Sequence, residues 1–181
     1  MKCVAQIVLS LSLIAIGVGP CLAQPSFNPQ TPAAAKKILE RAARHPKPGV
    51  VNETAEMTRR DCNIDYYQAV RGVIAKNPEA ISTMFRCAKC VDGAAGEAYS
   101  FDINAVLDYL GDQFFAEQLK KAPTDVRTAV IDAVTWAFGI SGGDKKLFRR
   151  LYPQTYKVSP KEFNAHLMER NPLGERNSPP D

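Results

Sequence analysis

Three helix starts in this sequence carry the same two-residue signal, a side chain able to cap a helix followed by proline. The pairs are Thr31-Pro32, Asn77-Pro78 and Ser159-Pro160. A cap side chain accepts a free backbone N–H of the first turn, and proline suits the first helical position because that position needs no N–H donor. The signal therefore predicts helices that begin near residues 32, 78 and 160. Ser159 and Glu162 also have the spacing of a capping box.

Apolar side chains between these starts recur every three or four residues, which is the helical period. The predicted helices cover 31–45, 52–76 (most strongly 64–76), 78–92, 103–110, 112–119, 124–138 and 159–167, with a short basic segment at 145–152. No segment shows sustained two-residue alternation, and only 98–101 and 155–158 suit short extended pieces. The pattern predicts an all-α fold, a compact bundle of about seven short helices.

The first 23 residues have the layout of a cleavable signal peptide. Lys2 gives a positive start, residues 4–18 form an apolar run, and Cys21-Leu22-Ala23 places small residues before a cut at Gln24. An uncleaved membrane anchor is the alternative, but a run of about 15 residues is shorter than the roughly 20 that span a bilayer. A lipoprotein signal at 18–21 is a second alternative, from which Pro20 departs.

This layout predicts four parts of the chain. Residues 1–23 are the signal peptide, 24–30 a flexible arm, 31–170 the helical domain and 171–181 a polar, proline-rich disordered tail. Export predicts a periplasmic or secreted protein with no stable membrane anchor after cleavage.

Composition excludes some classes of protein. Apolar residues make up 45% and charged residues 23% of the chain, enough apolar side chain for a core, so the domain is not intrinsically disordered. The net charge of +4 is too small to indicate the clustered basic face of a nucleic-acid-binding protein. We therefore expect no nucleic-acid partner.

The mature chain keeps Cys62, Cys87 and Cys90, and an oxidising compartment favours one disulfide among them. If 64–76 and 78–92 form an antiparallel hairpin about Asn77-Pro78, Cys62 lies 15 residues before the turn, and Cys87 and Cys90 lie 10 and 13 after it. At a helical rise of about 1.5 Å per residue, Cys90 then differs from Cys62 by about 3 Å in height along the hairpin, and Cys87 differs from Cys62 by about 7 to 8 Å. A disulfide tolerates only a short Cα separation, so the count predicts Cys62–Cys90, with Cys87 as the competing partner.

The pair Cys87 and Cys90 has the spacing of several known site types. The residue after Cys90 is Val91, where a c-type haem site needs histidine. A redox pair uses a helix N-terminus to stabilise its thiolate, whereas this pair is predicted near a helix C-terminus. A zinc site would need Cys62, Cys87, Cys90 and His45 or His166, without a second close pair of ligands. We expect no metal and no cofactor.

The remaining candidates for catalysis are histidines and carboxylates. His45 follows a helix end, and His166 is expected to form a surface pair with Glu162 one turn earlier. The carboxylates Glu97, Asp102, Asp108 and Asp112 cluster in the sequence, and a glycosidase needs only two such groups. Asp102 and Asp112, however, are expected to be helix caps. None of these residues is predicted to be catalytic.

Two further segments have a structural and a functional interpretation. Residues 145–152 are basic and amphipathic, which suits an anionic surface, although Leu147, Phe148 and Leu151 are enough to dock the segment on the core. Asn52-Glu53-Thr54 fits the N-glycosylation pattern, and Asn52 also suits a helix cap. In both cases the structural interpretation is preferred.

These observations predict an exported, non-catalytic helical protein that binds another protein, such as an inhibitor or immunity-type factor. One alternative is an exported enzyme, either a disulfide oxidoreductase using Cys87 and Cys90 or a carboxylate-dependent hydrolase. The other is a structural component of the cell envelope. No sequence motif identifies the partner.

Overall fold

The described part of the chain folds into helices. The structure, a computed structural model, describes residues 29–47 and 49–167. The helices are α1 (Pro32–Ala42), α2 (Glu53–Cys62), α3 (Tyr66–Ile74), α4 (Pro78–Cys87), α5 (Gly93–Leu110), α6 (Asp112–Lys121), α7 (Thr124–Ile140), α8 (Lys145–Leu151), α9 (Pro153–Val158) and α10 (Pro160–His166). No strand occurs in these residues, so the all-α prediction is confirmed. The predicted signal peptide, most of the arm and the tail from 171 lie outside the described residues.

The described residues contain ten helices rather than about seven, because 52–76 is divided, the basic segment 145–152 contains α8, and α9 was not predicted. Asn63, with φ +53°, adopts the left-handed conformation that asparagine tolerates, and this separates α2 from α3. Tyr152-Pro153 separates α8 from α9, which includes the segment 155–158 that was expected to suit an extended strand.

The start of α5 also differs from the prediction. The prediction placed no helix between 92 and 103 and made Asp102 the cap of the next helix. Instead α5 begins at Gly93 after Asp92, and Asp102 lies in its middle. Ala94, Ala95 and the residues after them continue the helix, so the expected extended piece at 98–101 is helical too.

Helix α5 lies at the centre of the bundle, where it packs against α1, α2, α6 and α7. Ile103, Val106 and Leu107 are completely buried there. Helices α3 and α4 form the predicted hairpin. They approach very closely at Gly72, where an added Cβ would lie 2.2 Å from the Cβ of Ala80.

The C-terminal helices close one end of the bundle through aromatic rings. Phe148 on α8 packs edge-on against Phe138 of α7, with ring centroids 5.0 Å apart, and lies 4.9 Å from Phe163 of α10. All three rings are buried. No helix of the described part is long and apolar enough to cross a membrane.

Helices α5 and α7 pack side by side. Lys89, just before α5, forms an ion pair of 3.7 Å with Asp125 at the start of α7. Further along both helices, Phe101 meets Trp136. Asn104 of α5 also donates a hydrogen bond to the Val134 carbonyl of α7, at 3.1 Å.

Candidate functional site

The cysteines form a structural link. Cys62 at the end of α2 is bonded to Cys90, with Cα atoms 5.9 Å apart, in agreement with the predicted pair. Cys87 is a buried thiol that donates a hydrogen bond to the Thr83 carbonyl one turn earlier, at 3.4 Å. Burial raises the pKa of Cys87 to about 12. Cys87 and Cys90 therefore do not provide the accessible thiolate that a redox pair needs.

The two histidines lie in different surroundings. His45 follows α1 and stacks on Tyr67, with ring centroids 4.2 Å apart. His166 lies 2.8 Å from Asp132 of α7, measured from Nε2 to Oδ1, rather than pairing with Glu162 as expected. Glu162 instead accepts a 2.8 Å hydrogen bond from the Thr128 hydroxyl. The expected pair within α10 was wrong because α10 packs on α7, which supplies both partners.

The same packing replaces the predicted capping box. Ser159 precedes α10 as its cap residue but makes no capping hydrogen bond through its side chain. Since Glu162 bonds to Thr128, it does not reach back to the amide of Ser159. The proline signal still marks the start of the helix correctly.

The four carboxylates do not form one site. Asp102 accepts the hydroxyl hydrogen of Tyr66, and Asp108 accepts that of Tyr152 together with the amide of Gln30. The expectation that Asp102 caps its own helix was wrong, because that helix starts ten residues earlier than predicted, at Gly93. Each of the two carboxylates instead links α5 to a distant segment.

Asp112 caps a helix other than the expected one. It is the first residue of α6, where Gly111 takes the cap position. Its two carboxylate oxygens accept the amides of Gln154 and Thr155, at 2.7 and 2.8 Å, in the first turn of α9. Asp112 was therefore correctly expected to be a helix cap, but it caps α9 rather than its own helix. In this way it joins α6 to α9.

The basic segment and Asn52 both have structural roles. In α8, Phe148 is fully buried and Leu147 packs against the core. Arg149 lies 5.1 Å from the ring centroid of Tyr156. The side chain of Asn52 accepts the Ala55 amide at 3.0 Å and caps α2, as predicted. In the part of the chain that the structure describes, no group of three or more His, Cys, Asp or Glu side chains is placed to bind a metal ion.

A cleft of the described surface lies between α5 and α7, and we call it the α5–α7 groove. Its volume is about 590 Å³. Small residues form much of its lining, namely Ala88, Gly93, Gly96, Ala129 and Ala133. Because these side chains are short, a bound molecule can approach both helices closely.

Aromatic side chains form one end of the groove. Trp136 lines it and meets Phe101 edge-on, with ring centroids 5.8 Å apart. Ile140 lies one turn beyond Trp136 on α7. The exposed fractions are 37% for Trp136, 47% for Phe101 and 60% for Ile140, although all three residues are large and apolar. We refer to these three residues as the aromatic ledge.

The other exposed large apolar residues of the described part lie on the far side of α5. Val50 and Val51 line a second cleft together with Ala94 and Ala98, which stand on the exposed face of α5. Ala98 is one turn before Phe101 on the same face. The valines therefore line a cleft separate from the α5–α7 groove, since the two clefts share no lining residue.

Three of the uncharged polar side chains that line the groove make hydrogen bonds within the protein. Ser100 donates to the Gly96 carbonyl at 2.8 Å, and Thr135 donates to the Ile131 carbonyl at 2.8 Å, each within its own helix. Tyr99 donates to the Met84 carbonyl at 3.0 Å. A carboxylate beside a histidine, as in Asp132 and His166, can orient a general base. The Ser100 hydroxyl is nevertheless buried and directed to Gly96, so it is not presented as a nucleophile.

The charged groups of the groove are mainly acidic. Glu97 on α5 and Asp132 on α7 line it, and His166 lies beside Asp132. Burial raises the pKa of Asp132, His166 lowers it, and Glu162 raises it again. Glu97 is exposed and has no ion-pair partner among the described residues.

Sequence reasoning missed this surface although a signal was present. The helix predicted over 124–138 contains both Trp136 and Phe138. Residues two apart on a helix point about 200° from each other, so Trp136 and Phe138 cannot both face the core. Phe138 is fully buried and Trp136 is exposed, as this spacing requires.

Comparison with known proteins gives no family to which this surface can be related, because no family model, curated protein or solved structure matches the chain.

Proposed function

We propose that this chain is an exported, non-catalytic protein that acts by binding another protein through the aromatic ledge and the α5–α7 groove. The observation that carries the proposal is the aromatic ledge. Phe101 and Trp136 are in contact, Ile140 lies one turn beyond Trp136, and all three side chains are exposed. Exposed apolar residues scattered singly are normal, whereas a cluster of them beside a groove is typical of an interaction site.

The composition of this surface suits a protein partner. Tryptophan is the residue most enriched among those that dominate binding energy, and an edge-on aromatic neighbour holds its ring in place. Trp136 has such a neighbour in Phe101. Apolar residues form the centre of the surface, while Glu97, Asp132 and His166 lie around the groove, which resembles the apolar centre and polar rim of protein interfaces.

Two features support export. The predicted signal peptide, cut before Gln24, would deliver the protein to the periplasm or the exterior. The Cys62–Cys90 link suits an oxidising compartment. Mass spectrometry of the exported protein checks the first point: a mature form that begins at Gln24 is expected, and an acylated N-terminus at Cys21 would contradict it.

Photo-cross-linking in the native host tests the binding function. A benzoyl-phenylalanine at Phe101 should give one discrete adduct of constant stoichiometry, since its ring faces the bound partner. The same group at Gln113, an exposed residue of α6, is the control and should give none. Trp136→Ala should abolish the adduct at position 101 while leaving the helical circular dichroism unchanged. No adduct, or equal adducts from both positions, would contradict the proposal.

A further inference from the structure

We infer that the α5–α7 groove receives a cationic amphipathic helix of the partner. This inference rests on the proposed function, because it names the chemistry that the proposed surface recognises. The inference depends on three properties of the groove: the hydrogen bonds already made by its hydroxyl groups, its lining of small residues and its acidic side chains.

The occupant is a helix because the groove offers few hydrogen bonds to an extended backbone. Its two long walls are helices whose backbone groups are paired internally, and the described residues contain no strand edge that could bind a peptide by strand addition. The hydroxyls of Tyr99, Ser100 and Thr135 are also taken. An extended peptide would bury unpaired N–H and C=O groups here, whereas a helix brings its backbone already paired.

The lining of the groove fits the close approach of a helix. Gly93 and Gly96 on one side face Ala129 and Ala133 on the other. From Ala129 to Trp136 the groove follows α7 for about 10 Å, or two helical turns. A partner helix of this length presents apolar residues at i, i+3 or i+4, and i+7 to the groove, and the last of them meets the aromatic ledge.

The occupant is cationic because the groove is acidic on both walls. Glu97 and Asp132 line opposite walls, and His166 is the only basic side chain among the described residues that line the groove. His166 already contacts Asp132, so Glu97 is left without a cation among the described residues. A lysine or arginine next to the apolar anchors of the partner helix would complete this charge pattern, and it would add specificity and a faster association rate.

A phage-displayed library of random peptides of about 16 residues tests the inference. The library is selected on the oxidised full-length protein and counter-selected on Trp136→Ala. Selected peptides that lack tryptophan are then titrated by the fluorescence of Trp136, the only tryptophan of the chain. We expect apolar residues at helical spacing with an adjacent lysine or arginine. We also expect affinity to fall about tenfold in Glu97→Gln, with no change in Glu117→Gln, an exposed glutamate of α6.

The outcomes separate this inference from the proposed function. Selected peptides whose apolar residues lack helical spacing would show that the occupant is not a helix. Peptides that lack a basic residue, or that bind Glu97→Gln as tightly as the wild type, would show that the occupant need not be cationic. Failure to select any peptide that depends on Trp136 would overturn the groove as a helix site. If the Phe101 cross-link is nevertheless formed, the proposed function stands and only the identity of the occupant is wrong.

Discussion

The hydroxyl of Tyr66 on α3 donates a hydrogen bond of 2.5 Å to the Oδ2 oxygen of Asp102 in the middle of α5. Burial raises the pKa of Asp102 from its ordinary value of 3.8 to about 6, and the hydrogen bond from Tyr66 lowers it in part. The folded protein therefore binds a proton at Asp102 more tightly than the unfolded chain does. The stabilisation by this proton is complete below pH 4 and is lost as the pH rises through 6.

Asp102→Asn should remove this pH dependence, because the amide keeps an acceptor for Tyr66 but carries no charge. A shift of about two pKa units corresponds to about 3 kcal/mol. We therefore expect the wild type to lose up to about 3 kcal/mol of its free energy of unfolding from pH 4 to pH 7 through Asp102, and the variant not to lose it. The difference between variant and wild type should shift by that amount in favour of the variant. Urea unfolding at both pH values measures it, with Glu117→Gln as the control. An equal difference at the two pH values would contradict the prediction.

The Cys62–Cys90 bond should be a large contributor to stability. It closes a loop with a sequence separation of 28 residues. The chain-entropy model gives about 3 to 4 kcal/mol for such a loop. Cys62→Ser, Cys90→Ser and the double variant should lose nearly equal stability in urea, because each removes the same bond. Non-reducing peptide mapping should show one linked pair, and a dominant Cys62–Cys87 peptide would refute the assignment.

Cys87 should be unreactive in the folded protein. With a pKa raised by burial to about 12, very little thiolate is present at pH 8. We expect iodoacetamide to label Cys87 only after unfolding, and the native protein should not reduce insulin. In Cys90→Ser the freed Cys62, which is half-buried, should react in the folded state and serves as the positive control. Insulin reduction that depends on Cys87 would contradict this prediction.

Local sequence signals predicted the helix starts well, because caps and prolines act within one turn. Thr31, Asn52 and Asn77 all cap the predicted helices, through hydrogen bonds to the Ala34, Ala55 and Glu79 amides. The signals failed where a distant segment competes for the side chain. Glu162 and Asp102 bond to Thr128 and Tyr66, residues that are 34 and 36 positions away and that no local pattern identifies.

The predicted disulfide is correct, although one assumption behind the prediction was wrong. The count of residues on either side of Asn77-Pro78 treated Cys62 as part of an extension of α3. Cys62 instead ends α2, and the chain turns at Asn63 before α3 begins. The hairpin of α3 and α4 was predicted correctly, so Cys90 lies near the end that α2 also reaches. Predicting the groove, in contrast, requires knowing how α5 and α7 pack against each other, and no local sequence pattern gives that packing.

Asp112 offers a test of a cap supplied by another helix. Its carboxylate accepts the Gln154 and Thr155 amides of α9, and the Thr155 hydroxyl donates to its carbonyl at 3.4 Å. Asp112→Ala leaves two first-turn amides without their side-chain partner. We expect a loss of about 1 to 2 kcal/mol in the free energy of unfolding, and a smaller loss for Asp112→Asn, which keeps one acceptor oxygen.

Hydrogen exchange distinguishes this role from an ordinary cap. In Asp112→Ala the amides of Gln154 and Thr155 should exchange faster, because the bond that protects them is removed. Asp65→Ala is the matched control: Asp65 caps its own helix through the Gln68 amide at 2.9 Å, so its loss should expose Gln68 and leave α9 unchanged. If Asp112→Ala instead exposed only the first turn of α6, Asp112 would be a local cap, and the link between α6 and α9 would depend on apolar packing alone.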